Sequence, residues 1–358
     1  MRKFLAAVMI LAHLWPITAT ASDCSWDQAP GWVARENQKA GDRKWSEDVP
    51  LRYSADFSRR KDIPRIEGYL SSSSATCGEK LTLTTVGSKK FTASIYRMGY
   101  YNNHGARLVK LLKSPTQISI DAKTPPGQYL IKLSNNLRAA TFVPFLVYGD
   151  APSEATFISS VLTWQSYNQW GGQSLYKGAD GARETAAQIV SFDRPYDGDG
   201  SGQFRYMEQT LVTMMEKIGI DINYATDFEI QNNPAVFEKT KSIIVGGHSE
   251  YWTIAMRDTI DAAVAQGKNL VAFGGNTAYA ITEINGRNIS VYRNGSLITT
   301  YTASFDVAQN ANGMQIGRNL QGGWNTSQVD VYSVRVYNKA LTAAEVLQNY
   351  NALKGRYA

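Results

Sequence analysis

The chain has 358 residues, 43% of them hydrophobic and 19% charged, which fits an ordinary folded protein of two or three domains. Its net charge is +6; Arg2 and Lys3 belong to a leader, leaving 6 − 2 = +4 scattered along the rest. No basic arm or stripe favours a nucleic-acid partner.

Arg2 and Lys3 form a positive n-region, residues 4–15 an apolar core that His13 interrupts, and Ala19-Thr20-Ala21 a small-x-small site. This pattern predicts a signal peptide over 1–21, cleaved between Ala21 and Ser22, and export to a periplasm or to the outside. The leader is short for a bilayer span and no later stretch is long enough, so no membrane span is expected. In an oxidising compartment the two cysteines are expected to pair, so that Cys24–Cys77 ties the N-terminal arm to the first domain.

Residues 22–63 are polar and aperiodic and read as an irregular arm. Residues 64–150 alternate with period two at 65–70, 80–86, 91–98, 117–120, 128–133 and 141–147, with a turn at Pro125-Pro126-Gly127. Strands at short intervals with no helix between them predict an all-β, sandwich-like region. Over 151–284 the pattern becomes α/β. Strands are expected at 156–163, 221–225, 242–245 and 269–273, and helices at 204–219, 234–240 and 251–265; the aromatic loop 164–172 follows the first strand. Met207, Leu211, Met214, Met215 and Ile218 share one side of the 204–219 helix and read as core rather than as a cofactor box. From 285 to 358 a second β module is predicted. It begins with a hairpin about Asn294-Gly295 and ends with a helix over 341–353, opened by a Thr342/Glu345 capping box.

The stretch KSIIVGGHSEYW (241–252) carries the densest chemical signal. A short apolar β-branched run, a glycine turn and a polar cluster place His248, Ser249 and Glu250 at the carboxyl end of a strand. Open α/β sheets bind their ligands there. Two readings stay open from these residues alone. His248 and Glu250 are a metal-ligating or acid–base pair, or Ser249 caps the next helix and Glu250 complements its dipole.

Six segments in register carry a family likeness: RIEGYL (65–70), IYRMGYY (95–101), TWQSYN (163–168), SFDRPY (191–196), GGHSEYW (246–252) and FGGNTAY (273–279). Together they resemble the large subunit of N,N-dimethylformamidase and its relatives, over about residues 60–280. The resemblance implies a glutamine-amidotransferase-like parallel α/β layer preceded by β structure. It also implies a ferric ion (Fe3+) held by two tyrosines and a glutamate, with a histidine and an asparagine nearby. Carried over, Glu250 and Tyr167 are metal ligands, His248 is the acid/base, and Asn276 polarises the substrate. The second tyrosine is Tyr129 by distance along the chain, with Tyr100 or Tyr101 as alternatives. Hard oxygen ligands suit such an ion, and the ion suits amide hydrolysis.

Residues 289–357 resemble instead the C-terminal half of a laminin-G or concanavalin A-like jelly roll, which implies glycan binding and an α/β sheet curtailed after FGGN. The expected fold class is therefore multidomain α/β plus all-β: a β-sandwich-like region, a parallel α/β layer and a partial jelly-roll lectin module. The expected activity is a secreted iron-dependent amidase acting on a small amide, with a carbohydrate-binding or surface-adhesion protein as the alternative. Homo-oligomerisation is left open.

Overall fold

The computed structural model describes residues 24–49, 66–135 and 140–293, and beyond these only the backbone of short strands at 296–297, 309–310 and 313–314. The cleavage site at Ala21 and Ser22, the second half of the arm, and the strands and helix expected after residue 314 lie outside the described residues.

Of the arm, Trp32–Asn37 forms helix α1 and Arg43–Trp45 a 3-10 turn. Trp26, Trp32 and Trp45 are buried in the main core, which gives this polar segment three apolar anchors. Cys24 and Cys77 are joined in a disulfide, with Cα atoms 5.6 Å apart.

Eight strands follow: β1 (Ile66–Leu70), β2 (Ser74–Ala75), β3 (Lys80–Gly87), β4 (Thr92–Met98), β5 (Ala106–Lys113), β6 (Gln117–Ser119), β7 (Gly127–Ser134) and β8 (Ala140–Val147). They form two sheets, ordered β1-β3-β6 and β2-β8-β7-β4-β5. The alternation in β1 and β3 buries Ile66, Leu70, Leu81 and Leu83. These meet Ile95, Ile131, Leu133, Val143 and Phe145 of the other sheet in a core of their own, the interior of a sandwich. Strand β5 escaped the sequence reading because it lies at a sheet edge, with Leu108 and Leu111 exposed and no clean alternation.

The α/β unit begins with β9 (Ser153–Ser159) and α2 (Val161–Tyr167). The expected strand to residue 163 is therefore too long, and the first part of the aromatic loop is helical. The chain turns at Ser160, where two buried carboxyls accept from the backbone: Glu208 from Ser160 N at 3.2 Å and Asp227 from Leu162 N at 2.7 Å. Next come β10 (Ile189–Ser191), a π-helical turn over Phe204–Glu208, α3 (Gln209–Ile218), β11 (Ile222–Thr226) and α4 (Asp227–Asn232). The helix expected at 234–240 is a run of turns. Helix formation moves upstream, where the Thr226 and Glu229 side chains form a capping box.

The buried face of α3 also differs from expectation. Val212, Met215 and Glu216 are buried, while Met214 and Ile218 are exposed. An ion pair sets this rotation. Glu216 accepts from Arg97 of the sandwich at 2.7 and 2.8 Å and from Tyr224 at 2.7 Å, all fully buried, so the helix turns its carboxylate inward.

After α4 come β12 (Thr240–Val245), β13 (Tyr251–Trp252), α5 (Ile254–Ala265) and β14 (Asn269–Ala272). Helix α5 starts three residues later than predicted and is capped by Thr253, whose hydroxyl accepts from Met256 N, not by Ser249. Strands β11-β9-β12-β14 make a four-stranded, all-parallel sheet. The hairpin β15 (Ala280–Asn285) and β16 (Asn288–Arg293) joins β13 in parallel and β10 antiparallel. The domain boundary expected at 284/285 thus falls inside a hairpin that belongs to the α/β unit. Gly286-Arg287 form its turn.

Candidate active site

The sheet order makes β9 and β12 adjacent while their connections leave in opposite directions, to β11 and to β14. Such a switch point opens a crevice at the carboxyl ends of the two strands. The residues that follow them, α2 with its loop and the segment Gly246–Tyr251, meet there.

Two glycines make the close approach feasible. Gly247 has φ +62°, and a Cβ on it would lie 2.9 Å from Met207 and Glu208 side-chain atoms. A Cβ on Gly274 would lie 1.8 Å from Gly247 O, so the FGGN turn rests directly on the GGH turn. Backbone bonds continue the contact, from Ala278 N to Ser249 O and from Ala280 N to Glu250 O, both 2.9 Å. From the other side, Thr163 Oγ1 of α2 accepts from Glu250 N at 2.9 Å and Tyr251 N at 3.2 Å. Ser249 Oγ accepts from Trp252 Nε1 at 2.8 Å. The HSEYW segment is therefore fixed along its length.

Three side chains converge on the Glu250 carboxylate. Tyr167 donates its hydroxyl to Glu250 Oε2 at 2.7 Å, and Tyr176 donates to Oε1 at 3.0 Å. His248 Nε2 lies 3.0 Å from both Glu250 Oε2 and the Tyr167 hydroxyl. The two phenol rings stack with centroids 4.2 Å apart. Glu250 is fully buried, whereas the His248 side chain retains 17% exposure and lies towards solvent from it; Tyr167 and Tyr176 are likewise partly buried. Burial and then the Glu250 charge push both phenols above their ordinary range. The two phenols therefore keep their protons unless a cation arrives.

Of the residues expected at the site, the structure brings together Tyr167, His248 and Glu250. Asn276 sits at the adjoining turn, half-buried, with its backbone in the left-handed region at φ +55°. Tyr129 is not among them. It is fully buried inside the sandwich, stacked on Phe145 with its hydroxyl bonded to Pro125 O at 2.7 Å. Tyr101 bonds to Glu36 and Arg97. The residue that distance along the chain did not suggest is Tyr176. It lies just beyond the aromatic loop 164–172, with no signal of its own, and a fold in the chain after Tyr167 supplies the proximity.

That fold is built from several local bonds. Leu175 N donates to Ser166 O at 3.0 Å, and Ser174 Oγ accepts from Tyr176 N and Lys177 N. Asn168 is spent internally: its amide donates to Gln165 Oε1 and Pro195 O, and its oxygen accepts from Trp170 N and Asp197 N.

Beneath the site, Glu208 accepts from Ser160 N and from Trp164 Nε1 at 3.0 Å, and its other oxygen has no partner. Burial pushes its carboxyl up to about 8. Asp227 is likewise raised well above the usual carboxylate range by burial. No cluster of three or more His, Cys, Asp or Glu side chains that could hold a metal occurs among the described residues.

A family model described as N,N-dimethylformamidase beta subunit-like, C-terminal, matches residues 92–329. A comparison with curated proteins finds none that matches. The matched span crosses residue 285 and covers much of the segment expected to be a laminin-G or concanavalin A-like module. With β15 and β16 paired into the α/β unit, the separate lectin-like assignment loses its starting point.

Proposed function

The chain belongs to the N,N-dimethylformamidase beta subunit-like family, and we propose that it is an exported hydrolase of C–N amide bonds that works with a ferric ion held by Tyr167, Tyr176 and Glu250. One observation carries this reading: two phenols and an imidazole each stand 2.7–3.0 Å from one buried carboxylate at the sheet's switch point.

The donor set fits the ion. Two phenolates and a carboxylate supply three hard anionic oxygens. The neutral phenols have their protons directed at Glu250, and a cation in that place would take up the oxygens and release those protons. When bound, the ion would supply a Lewis acid for an amide carbonyl and for water.

The chain's own residues do the rest. Stacking of Tyr167 on Tyr176 and the Thr163 bonds to the Glu250 and Tyr251 amides hold the oxygens in place before any ligand arrives. His248, on the open side and in reach of both Tyr167 and Glu250, is the group to carry a proton at Nε2 towards the leaving amine. Asn276, on the turn pressed against Gly247, is the residue assigned to orienting the substrate carbonyl. Export rests on the leader and its Ala21/Ser22 site. Among the described residues no helix is long and apolar enough to cross a membrane. Among the described residues no observation favours the glycan-binding reading.

The test is elemental analysis of the purified full chain with an optical spectrum. One iron per chain with a tyrosinate charge-transfer band is expected. A folded protein that takes up no ferric ion, even when it is supplied, would overturn the assignment.

A further inference from the structure

The SFDRPY segment has no role in the chemistry above, yet it touches the site's architecture at every turn. Arg194 projects from it towards the C-terminal end of α2. Its five N–H groups all find acceptors on the segment that carries the two tyrosines. Nε donates to Gln165 Oε1 at 2.9 Å. One terminal nitrogen donates to Trp170 O at 3.1 Å and Gln173 O at 3.0 Å. The other donates to Gln165 O at 3.0 Å and Asn168 O at 2.9 Å. The backbone carbonyls among them belong to the end of a helix and to an irregular loop, where the helical ladder has run out; Gln165 O also accepts from Asn168 N at 3.3 Å. Among the described residues no carboxylate bonds to this guanidinium. Burial pulls its pKa down to about 10, so it remains cationic at neutral pH.

We propose that Arg194 is the positioning residue of the site: a cationic staple that gathers the backbone between Tyr167 and Tyr176 so that both phenols face Glu250. The fork geometry is what the task needs. Tyr167 ends α2 and Tyr176 lies beyond an irregular loop, so nothing in the secondary structure fixes one against the other. One planar group with five donors ties carbonyls on both sides of Asn168, and neighbouring backbone joins in through Pro195 O and Asp197, whose Oδ2 accepts from Gln169 N at 2.8 Å. A lysine has three donors and no fork, so it cannot reproduce the pattern.

The proposal rests on the ferric reading for its spectroscopic test but not for its structural one. The experiment uses the full chain as wild type and as Arg194→Lys. Ferric ion is titrated in as its citrate complex while the tyrosinate band is followed, and backbone amide exchange is measured by mass spectrometry without metal. The expected result is iron affinity lower by about tenfold or more, with a shifted band, since two charge-assisted bonds are lost. Faster exchange should be confined to residues 166–177, with strand 243–245 unchanged. Wild-type affinity, band and exchange in the variant would overturn the proposal. A wild type that takes up no iron would sink the ferric reading alone, and the exchange data would then decide the role of Arg194. If Arg194→Lys does not fold, Gln165→Leu removes one acceptor and should give a smaller change of the same kind. Wild-type behaviour in a folded Gln165→Leu would count against the staple.

Discussion

Replacing Glu208 by glutamine should flatten the pH dependence of stability. Glu208 is fully buried, its Oε1 accepts from Ser160 N and Trp164 Nε1, and its Oε2 has no partner. Burial raises its carboxyl from the ordinary 4.5 to about 8. The folded protein therefore holds a proton that the unfolded chain releases above pH 4.5. Stability from this group is fully present below that pH, falls as pH rises, and is lost by about pH 8. The gap between the two values corresponds to about 5 kcal/mol over that window, at 1.36 kcal/mol per tenfold change in proton affinity. Glutamine keeps the accepting oxygen and cannot ionise. It adds an amide where Oε2 stood, at a roughly pH-independent cost of about 1–3 kcal/mol. The difference in unfolding free energy between wild type and Glu208→Gln, from urea titrations at pH 5, 6, 7 and 8, should shift progressively in favour of the variant as pH rises. A difference that stays constant across this range would refute the reasoning, because it would mean that Glu208 is ionised in the folded protein throughout.

Tyr176→Phe should lower iron occupancy and weaken the tyrosinate band, measured by elemental analysis and absorbance. Tyr129→Phe should keep both and lose only about 1 kcal/mol of stability with its buried bond to Pro125 O; the reverse pattern would restore the assignment by distance along the chain. Arg97→Met should cost about 3–5 kcal/mol in denaturant titrations, because Glu216 would be left as a buried charge between the sandwich and α3. A loss under about 1 kcal/mol would show that water or Asn37 takes over the carboxylate.

The site was partly legible before the fold was known, and the reasons differ by residue. His248 and Glu250 stood out because a β-branched run, two glycines and a polar pair are local features that the chain writes consecutively. Tyr167 and Asn276 came only through resemblance. Tyr176 was missed because separation in sequence is a poor guide where a loop folds back on itself. The stacking of the two phenols depends on the Leu175–Ser166 backbone bond and on Arg194 from a different segment. Glu216 was hidden among methionines on a helix that reads as an apolar face, and Arg97, far away in sequence, together with Asn37 and Tyr224 explains why it turns inward.

By itself the sequence determined the sandwich, through period-two alternation, and the parallel layer, through buried β-branched runs between helices. It also marked the turn at Gly246-Gly247 as a place where chemistry would sit. These are properties of neighbours along the chain, where backbone geometry and burial impose a fixed period. Tertiary structure alone decided which tyrosine joins Glu250, which side of α3 is buried, and that the hairpin Ala280–Arg293 belongs to the site-bearing unit. Each of these depends on bonds between distant segments: two carboxyls receiving the N-terminus of α2, a guanidinium gathering a loop, a hairpin pairing with β10 and β13. Such bonds leave no periodic trace in the order of residues.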